Sequence, residues 1–180
     1  MFVQTITAAQ VLAALTSDTT QFKGANIDLI PSQCFMLEFW GDGLDIALTT
    51  ANADYSLGTI TLPAISDVTI EQAYILFRCD ALRDTSGAGN RLDQNETIQV
   101  KENAAGAYTT GINLDVNQFY VMANATEGGG TAITGDVDIQ SEVDAFGDTY
   151  AFQWTSGRCL GNNLTFYQCR IGLRLICKVA

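Results

Sequence analysis

The sequence predicts an all-β protein, a single antiparallel β-sandwich of jelly-roll type with a short N-terminal helix or arm. Apolar and polar residues alternate with a period of two through most of the chain after residue 25. The chain contains 16 Gly, which fits short strands separated by turns. Charged residues make up only 16% of it, whereas a helical bundle needs many Glu and Lys on its solvent side.

The N-terminal segment, residues 1–25, is predicted to form a helix or an arm ahead of a sandwich domain of residues 26–180. Residues 5–16 are the best helix candidate, because Thr7 can cap them and their apolar side chains fall on one face. No Lys or Arg precedes this mildly apolar stretch. We therefore expect no signal peptide, and synthesis in a cytoplasm.

The first strands are predicted at residues 35–39 and 44–48, where large apolar residues occupy every second position. Between these runs lies the segment Gly41-Asp42-Gly43. Glycine and aspartate favour tight turns between paired strands. The segment therefore predicts a β-hairpin.

Among the later strands, the clearest are predicted at residues 73–79, 97–101, 119–121, 150–154 and 171–179. Over the whole chain we expect about ten short strands, a number and spacing typical of a sandwich. Alternation places Trp154 on an inward face. No βαβ rhythm is present, so a parallel sheet is not expected.

The charge and the composition exclude several classes of function. The net charge of −11 disfavours nucleic acid and anionic membrane surfaces as partners, and no apolar run approaches a membrane span. The chain has no His, which removes the Ser-His-Asp triad and the common metal ligand sets. Its five Cys form no C-x-x-C pair, and we expect free, mostly buried thiols. We therefore predict no catalytic residues and no cofactor.

Acidic residues cluster between positions 136 and 148. Within this cluster Asp136, Asp138 and Asp144 are candidate calcium ligands, because calcium binds several carboxylate oxygens. Their spacing differs from that of an EF-hand loop. The alternative is a solvated strand face next to a loop.

Basic residues form a row on the last predicted strand. Arg170, Arg174 and Lys178 share the face opposite to its apolar side chains. They are candidates for binding an acidic partner, or they pair with carboxylates on an adjacent strand. Exposed aromatic residues such as Trp40 are candidate platforms for a sugar.

Five segments together resemble β-sandwich virion proteins of tailed phages, of the capsid decoration (cement) or fibre type. The resemblance extends over residues 68–178 and rests on AYILFR (73–78), DTSGAGN (84–90), ETIQVK (96–101), YAFQW (150–154) and IGLR (171–174).

This resemblance implies a non-enzymatic protein on the virion surface, made in the host cytoplasm. It implies a homo-oligomer, most often a trimer, that binds the major capsid protein or another shell protein. It carries over no site residues. Two alternatives stay open: a carbohydrate- or receptor-binding module such as a fibre head, and a calcium-assisted enzyme acting on glycans.

Overall fold

The alternating segments form strands, and the described residues contain no helix. The computed structural model describes residues 34–49, 53–84, 91–92, 95–102, 106–114, 128–157, 159–160 and 164–179. The strands are β1 (Cys34–Trp40), β2 (Leu44–Leu48), β3 (Ala53–Thr61), β4 (Val68–Asp84), β5 (Arg91–Leu92), β6 (Glu96–Glu102), β7 (Thr109–Leu114), β8 (Gly128–Thr134), β9 (Thr149–Gly157), β10 (Cys159–Leu160) and β11 (Leu164–Val179). The all-β prediction is confirmed. In this part of the chain no helix is long and apolar enough to cross a membrane.

Several sequence predictions lie outside the described residues. These are the N-terminal helix at 5–16, the arm at 1–25 and the strand at 119–121. The division of the chain into an arm and a sandwich domain stays a prediction.

Two antiparallel sheets pack face to face. The larger sheet has the order β1-β11-β4-β8, with β2 also paired to β11, and the smaller sheet has the order β3-β9-β6-β7. Strands β5 and β10 form a separate pair. When β1 and β2 are counted as one interrupted edge strand, the first and last long strands are neighbours and the chain crosses repeatedly between the sheets. This is the jelly-roll order, as the sequence predicted.

The predicted hairpin at Gly41-Asp42-Gly43 is wrong. Both β1 and β2 pair antiparallel with β11, so they run in the same direction and the glycine segment interrupts one edge. The amide of Gly41 donates to the carbonyl of Ile171 at 2.9 Å, which keeps the interruption attached to β11. The 16-residue length of β11 gives both segments a partner, and this long-range pairing replaces the local turn.

The core lies between the sheets and is centred on Trp154. Its indole ring lies 5.6 Å from the ring of Phe77 in an edge-on arrangement and 5.1 Å from that of Phe166. The indole N–H donates to Oε2 of Glu96, which is itself buried. The predicted inward position of Trp154 is confirmed, since its exposed fraction is 0%.

Candidate docking face

The outer surface of the larger sheet carries the candidate site, which we call the Arg–Trp face. Its side chains alternate with the core residues of the three neighbouring strands β1, β11 and β4. They are Met36, Glu38 and Trp40 from β1, Arg170, Gly172, Arg174, Ile176 and Lys178 from β11, and Tyr74, Leu76 and Arg78 from β4.

The predicted partner-binding residues Arg170, Arg174 and Lys178 all lie on this face. Their roles as binding residues stay a prediction, but the structure separates their environments. Arg174 is opposite Glu38 of β1 and Tyr74 of β4 in the sheet register. Arg170 is opposite another arginine, Arg78.

Arg174 is neutralised within the sheet. Its Nη2 lies 2.8 Å from Oε1 of Glu38, and its Nε donates to the same oxygen at 2.9 Å. The two side chains are 33% and 32% exposed, so the pair contributes at most about 1 kcal/mol. The sequence left two roles open for these basic residues, binding an acidic partner or pairing with a carboxylate on an adjacent strand. Arg174 takes the second role.

Among the described residues, no carboxylate pairs with Arg78 or Arg170 in this way. The Nε atoms of both residues are buried and lack a hydrogen-bond partner among the residues that the structure describes. Like charges directly opposite each other destabilise a sheet. The guanidinium of Arg78 also lies 5.0 Å from the ring centre of Trp40, a cation–π contact.

Trp40 lies against the sheet because its cross-strand neighbour is Gly172. A Cβ built at Gly172 would lie 2.8 Å from Cε3 and 2.9 Å from Cδ2 of the indole. A residue with any side chain would therefore displace the ring. Trp40 remains 40% exposed and Met36, on the same face of β1, 55% exposed. These are the exposed large apolar side chains of the described residues.

A shallow pocket of about 250 Å³ adjoins Trp40 at the interrupted edge. It is lined by residues of both sheets: Phe39, Trp40, Gly41, Asp42, Thr59, Ile60 and Thr61. An indole, a carboxylate and two threonines thus surround one depression, a combination suited to a polyhydroxylated ligand.

The outer face of the smaller sheet differs in chemistry, because its polar groups bind one another. Thr97 and Thr155 are joined through their hydroxyls at 2.6 Å. The amide of Gln153 donates to Gln99 at 2.9 Å, and Gln99 donates to Thr110 at 3.3 Å. These side-chain groups are therefore less available for hydrogen bonds to a partner protein.

One of the candidate calcium ligands, Asp138, binds the backbone instead. Oδ1 of Asp138 accepts the backbone amides of Ala73 and Gln140, each at 3.0 Å, and so attaches the segment after β8 to β4. Within the described ranges, which include Asp136, Asp138 and Asp144, no group of three or more His, Cys, Asp or Glu is placed to hold a metal ion. The acidic cluster therefore gives no geometric support to a calcium site.

The side chains of four cysteines are described, and Cys34, Cys79, Cys169 and Cys177 are all free thiols. Cys79, Cys169 and Cys177 are buried, and burial raises the pKa of each. For Cys177 the pKa rises to about 11. Thiols with raised pKa values are poor nucleophiles at neutral pH.

Sequence reasoning missed the pairing of Arg78 with Arg170. Alternation in residues 73–79 does place Arg78 on the outer side of its strand. It does not say that β4 is the neighbour of β11, nor that Trp40 comes to lie over Gly172. Those contacts join segments far apart in the chain.

No family model matches the chain, and none of the curated proteins is similar to it in sequence. Among solved structures, the crystal structure of FLHE is similar over 83% of this chain and 100% of its own, at 10% identity and a TM-score of 0.31. A structure of infectious bursal disease virus, strain Gx, is similar over 82% of this chain and 38% of the virus chain, at 12% identity and a TM-score of 0.33. TM-scores this low do not establish a shared fold, so an inference about function depends on the chain's own residues.

Proposed function

We propose that this protein is a non-enzymatic structural protein of a phage particle, a decoration (cement) protein that binds the outside of the shell through the Arg–Trp face. The resemblance of residues 68–178 to tailed-phage virion proteins supports the proposal. So does the jelly-roll sandwich formed by the two sheets.

The observation that carries the proposal is the composition of the Arg–Trp face. Exposed Met36 and Trp40 lie beside arginine side chains on one sheet surface. Aromatic residues, Met and Arg are the residue types enriched where proteins bind one another. On the outer face of the smaller sheet, by contrast, threonine and glutamine side chains hydrogen-bond to one another.

The partner in this proposal is the major capsid protein or another shell protein, and the protein associates with copies of itself, most often as a trimer. The chain carries a net charge of −11, yet this face is basic. An acidic surface on the shell would complement it, and salt would weaken the binding by screening.

Co-sedimentation with particles of the virus that encodes the chain tests the proposal. The wild-type protein is expected to bind in a fixed ratio to the shell subunits. Met36→Glu should lower the occupancy, because it places a carboxylate where an apolar contact forms. Asn113→Glu is the matched control, since it adds the same charge to an exposed position on the outer face of the smaller sheet.

Two results would contradict the proposal. One is a protein that stays monomeric at high concentration in sedimentation and associates with no particle. The other is equal occupancy for Met36→Glu and the wild type. Thermal melts of both variants must match the wild type for either comparison to count.

A second candidate function is carbohydrate or receptor binding, as in a fibre head, and the pocket beside Trp40 favours it. There the indole could stack on a sugar ring while Asp42 and Thr61 accept or donate hydrogen bonds to its hydroxyls. A glycan array tests this candidate. Binding that disappears in Asp42→Asn and persists in Met36→Glu would support it over shell docking.

A further inference from the structure

We propose that Arg78 and Arg170 form a carboxylate-binding site that receives an acidic side chain of the docking partner, while Trp40 contacts the partner's neighbouring apolar side chain. The inference rests on the proposed shell-docking function and goes further, because it names the chemistry of the partner surface.

The positive charges of Arg78 and Arg170 are not neutralised by a carboxylate of the described residues. They lie directly opposite each other on β4 and β11, and each has a buried Nε without a described hydrogen-bond partner. Buried polar groups are normally satisfied, and opposed like charges cost stability. Places where a chain breaks such local rules without internal compensation are commonly functional.

The neighbouring arginine provides the contrast. Arg174 lies on the same face of the same strand and is balanced by Glu38. At the position of Arg170 the adjoining edge is interrupted by Gly41-Asp42-Gly43, so no strand residue of β1 or β2 is registered against it. Gly43 of this segment lies close to Arg170, since a Cβ built there would be 3.4 Å from the arginine Nε, so a ligand would have to approach the guanidinium from the outer side of the sheet.

The ligand that fits is a carboxylate on a protein. A planar carboxylate accepts two parallel hydrogen bonds from a guanidinium, and a pair of guanidiniums can hold both of its oxygens. The apolar surface of Trp40 beside the pair favours a protein partner, as does the net charge of −11, which opposes nucleic acid.

The sheet register also sets a spacing for the partner. The row of Arg78 and Arg170 and the row of Trp40 and Gly172 are two residues apart along β11. Two residues of a strand span roughly 6–7 Å, and side chains two apart point the same way. An extended partner segment with an acidic residue at one position and an apolar residue two positions later would fill both rows.

The site can be tested in solution with a defined probe. The blocked peptide Thr-Glu-Thr-Leu-Thr is titrated into the isotope-labelled protein at low salt, while the Nε–H signals of the arginines and the indole signal of Trp40 are followed by NMR. Saturable shifts of Arg78, Arg170 and Trp40 are expected, with Arg174 unmoved. The peptide with Gln in place of Glu should give much smaller shifts.

Several results would overturn the inference. Equal shifts from the Glu and Gln peptides would remove the carboxylate from the site. Sulfate that shifts the same signals as tightly as the Glu peptide would show a site for small inorganic anions instead. No shift from the Glu peptide would show that the arginine pair does not bind it.

Particle binding separates this inference from the proposed function. Arg170→Gln should weaken binding to particles about thirtyfold or more, the loss typical of a buried charge pair at an interface, while Lys101→Gln on the smaller sheet should not. Undiminished binding of Arg170→Gln, beside a wild type that binds, would refute the inference and leave the proposed function standing. Failure of the wild type itself would refute the proposed function. Loss of self-association alone in Arg170→Gln would assign the site to a second copy and overturn the shell partner.

Discussion

The two tryptophans of the chain provide a matched pair for testing the assignment of core and surface. Trp154 is 0% exposed and Trp40 is 40% exposed. Replacing each with alanine removes the same atoms from a closed core in one case and from a sheet surface in the other. Because the substitution is the same at both positions, the difference between the two losses in the free energy of unfolding reports how deeply each side chain is buried.

The expected loss for Trp154→Ala is about 5 kcal/mol. Truncating a buried aromatic side chain costs about 3–5 kcal/mol. The ring contacts with Phe77 and Phe166 and the hydrogen bond to Glu96 place this residue at the upper end, although such contributions do not simply add. Trp40→Ala should cost about 1–2 kcal/mol, since it loses an exposed cation–π contact with Arg78 and part of a buried ring.

A third variant separates packing from hydrogen bonding. Trp154→Phe keeps most of the ring but removes the N–H donor to Glu96. We expect a loss in the free energy of unfolding of about 1–3 kcal/mol, the cost of leaving a buried acceptor without its donor. Urea unfolding followed by circular dichroism measures all three variants. Equal losses for Trp154→Ala and Trp40→Ala, or a loss under about 1 kcal/mol for Trp154→Ala, would refute the placement of Trp154 in the core.

Three further predictions concern the face and the thiols. Gly172→Ala should displace the indole of Trp40, which increases the quenching of its fluorescence by acrylamide. It should also lower the free energy of unfolding by about 1–3 kcal/mol, as overpacking does. Unchanged quenching would contradict the close approach of the indole to Gly172. Arg174→Glu should lower particle occupancy, and it should lower the free energy of unfolding by up to about 1 kcal/mol because the new carboxylate lies opposite Glu38. Adding Glu38→Arg should restore the free energy of unfolding. A loss that persists in the double variant would contradict the ion pair between these two positions. Burial raises the pKa of Cys177 from 9.0 to about 11, so its contribution to stability is complete below pH 9 and is lost as the pH rises toward 11. Chemical unfolding at a series of pH values, with Cys177→Ala as the comparison, measures this decline.

The sequence by itself determined the fold class and the inward or outward direction of most strand side chains. Period-two alternation is a local property, because successive side chains on a strand point to opposite faces wherever the strand lies. For that reason Trp154 could be placed in the core, and Arg170, Arg174 and Lys178 on an outer face, without knowledge of any neighbour.

Only the tertiary structure decided which strands are neighbours. The segment Gly41-Asp42-Gly43 reads locally as a hairpin, but the length of β11 allows β1 and β2 to pair with it in succession. Hydrogen bonds between distant strands depend on the whole arrangement of the sheet, and they override a local turn preference.

The candidate site shows the same division. The outward direction of Arg78 and Arg170 follows from sequence, whereas their opposition across two strands does not. Nor does sequence reveal that Gly172 leaves room for the ring of Trp40, or that Glu38 neutralises Arg174 but not Arg170. Charge balance and close packing are set by register, and register joins residues that are far apart in the chain.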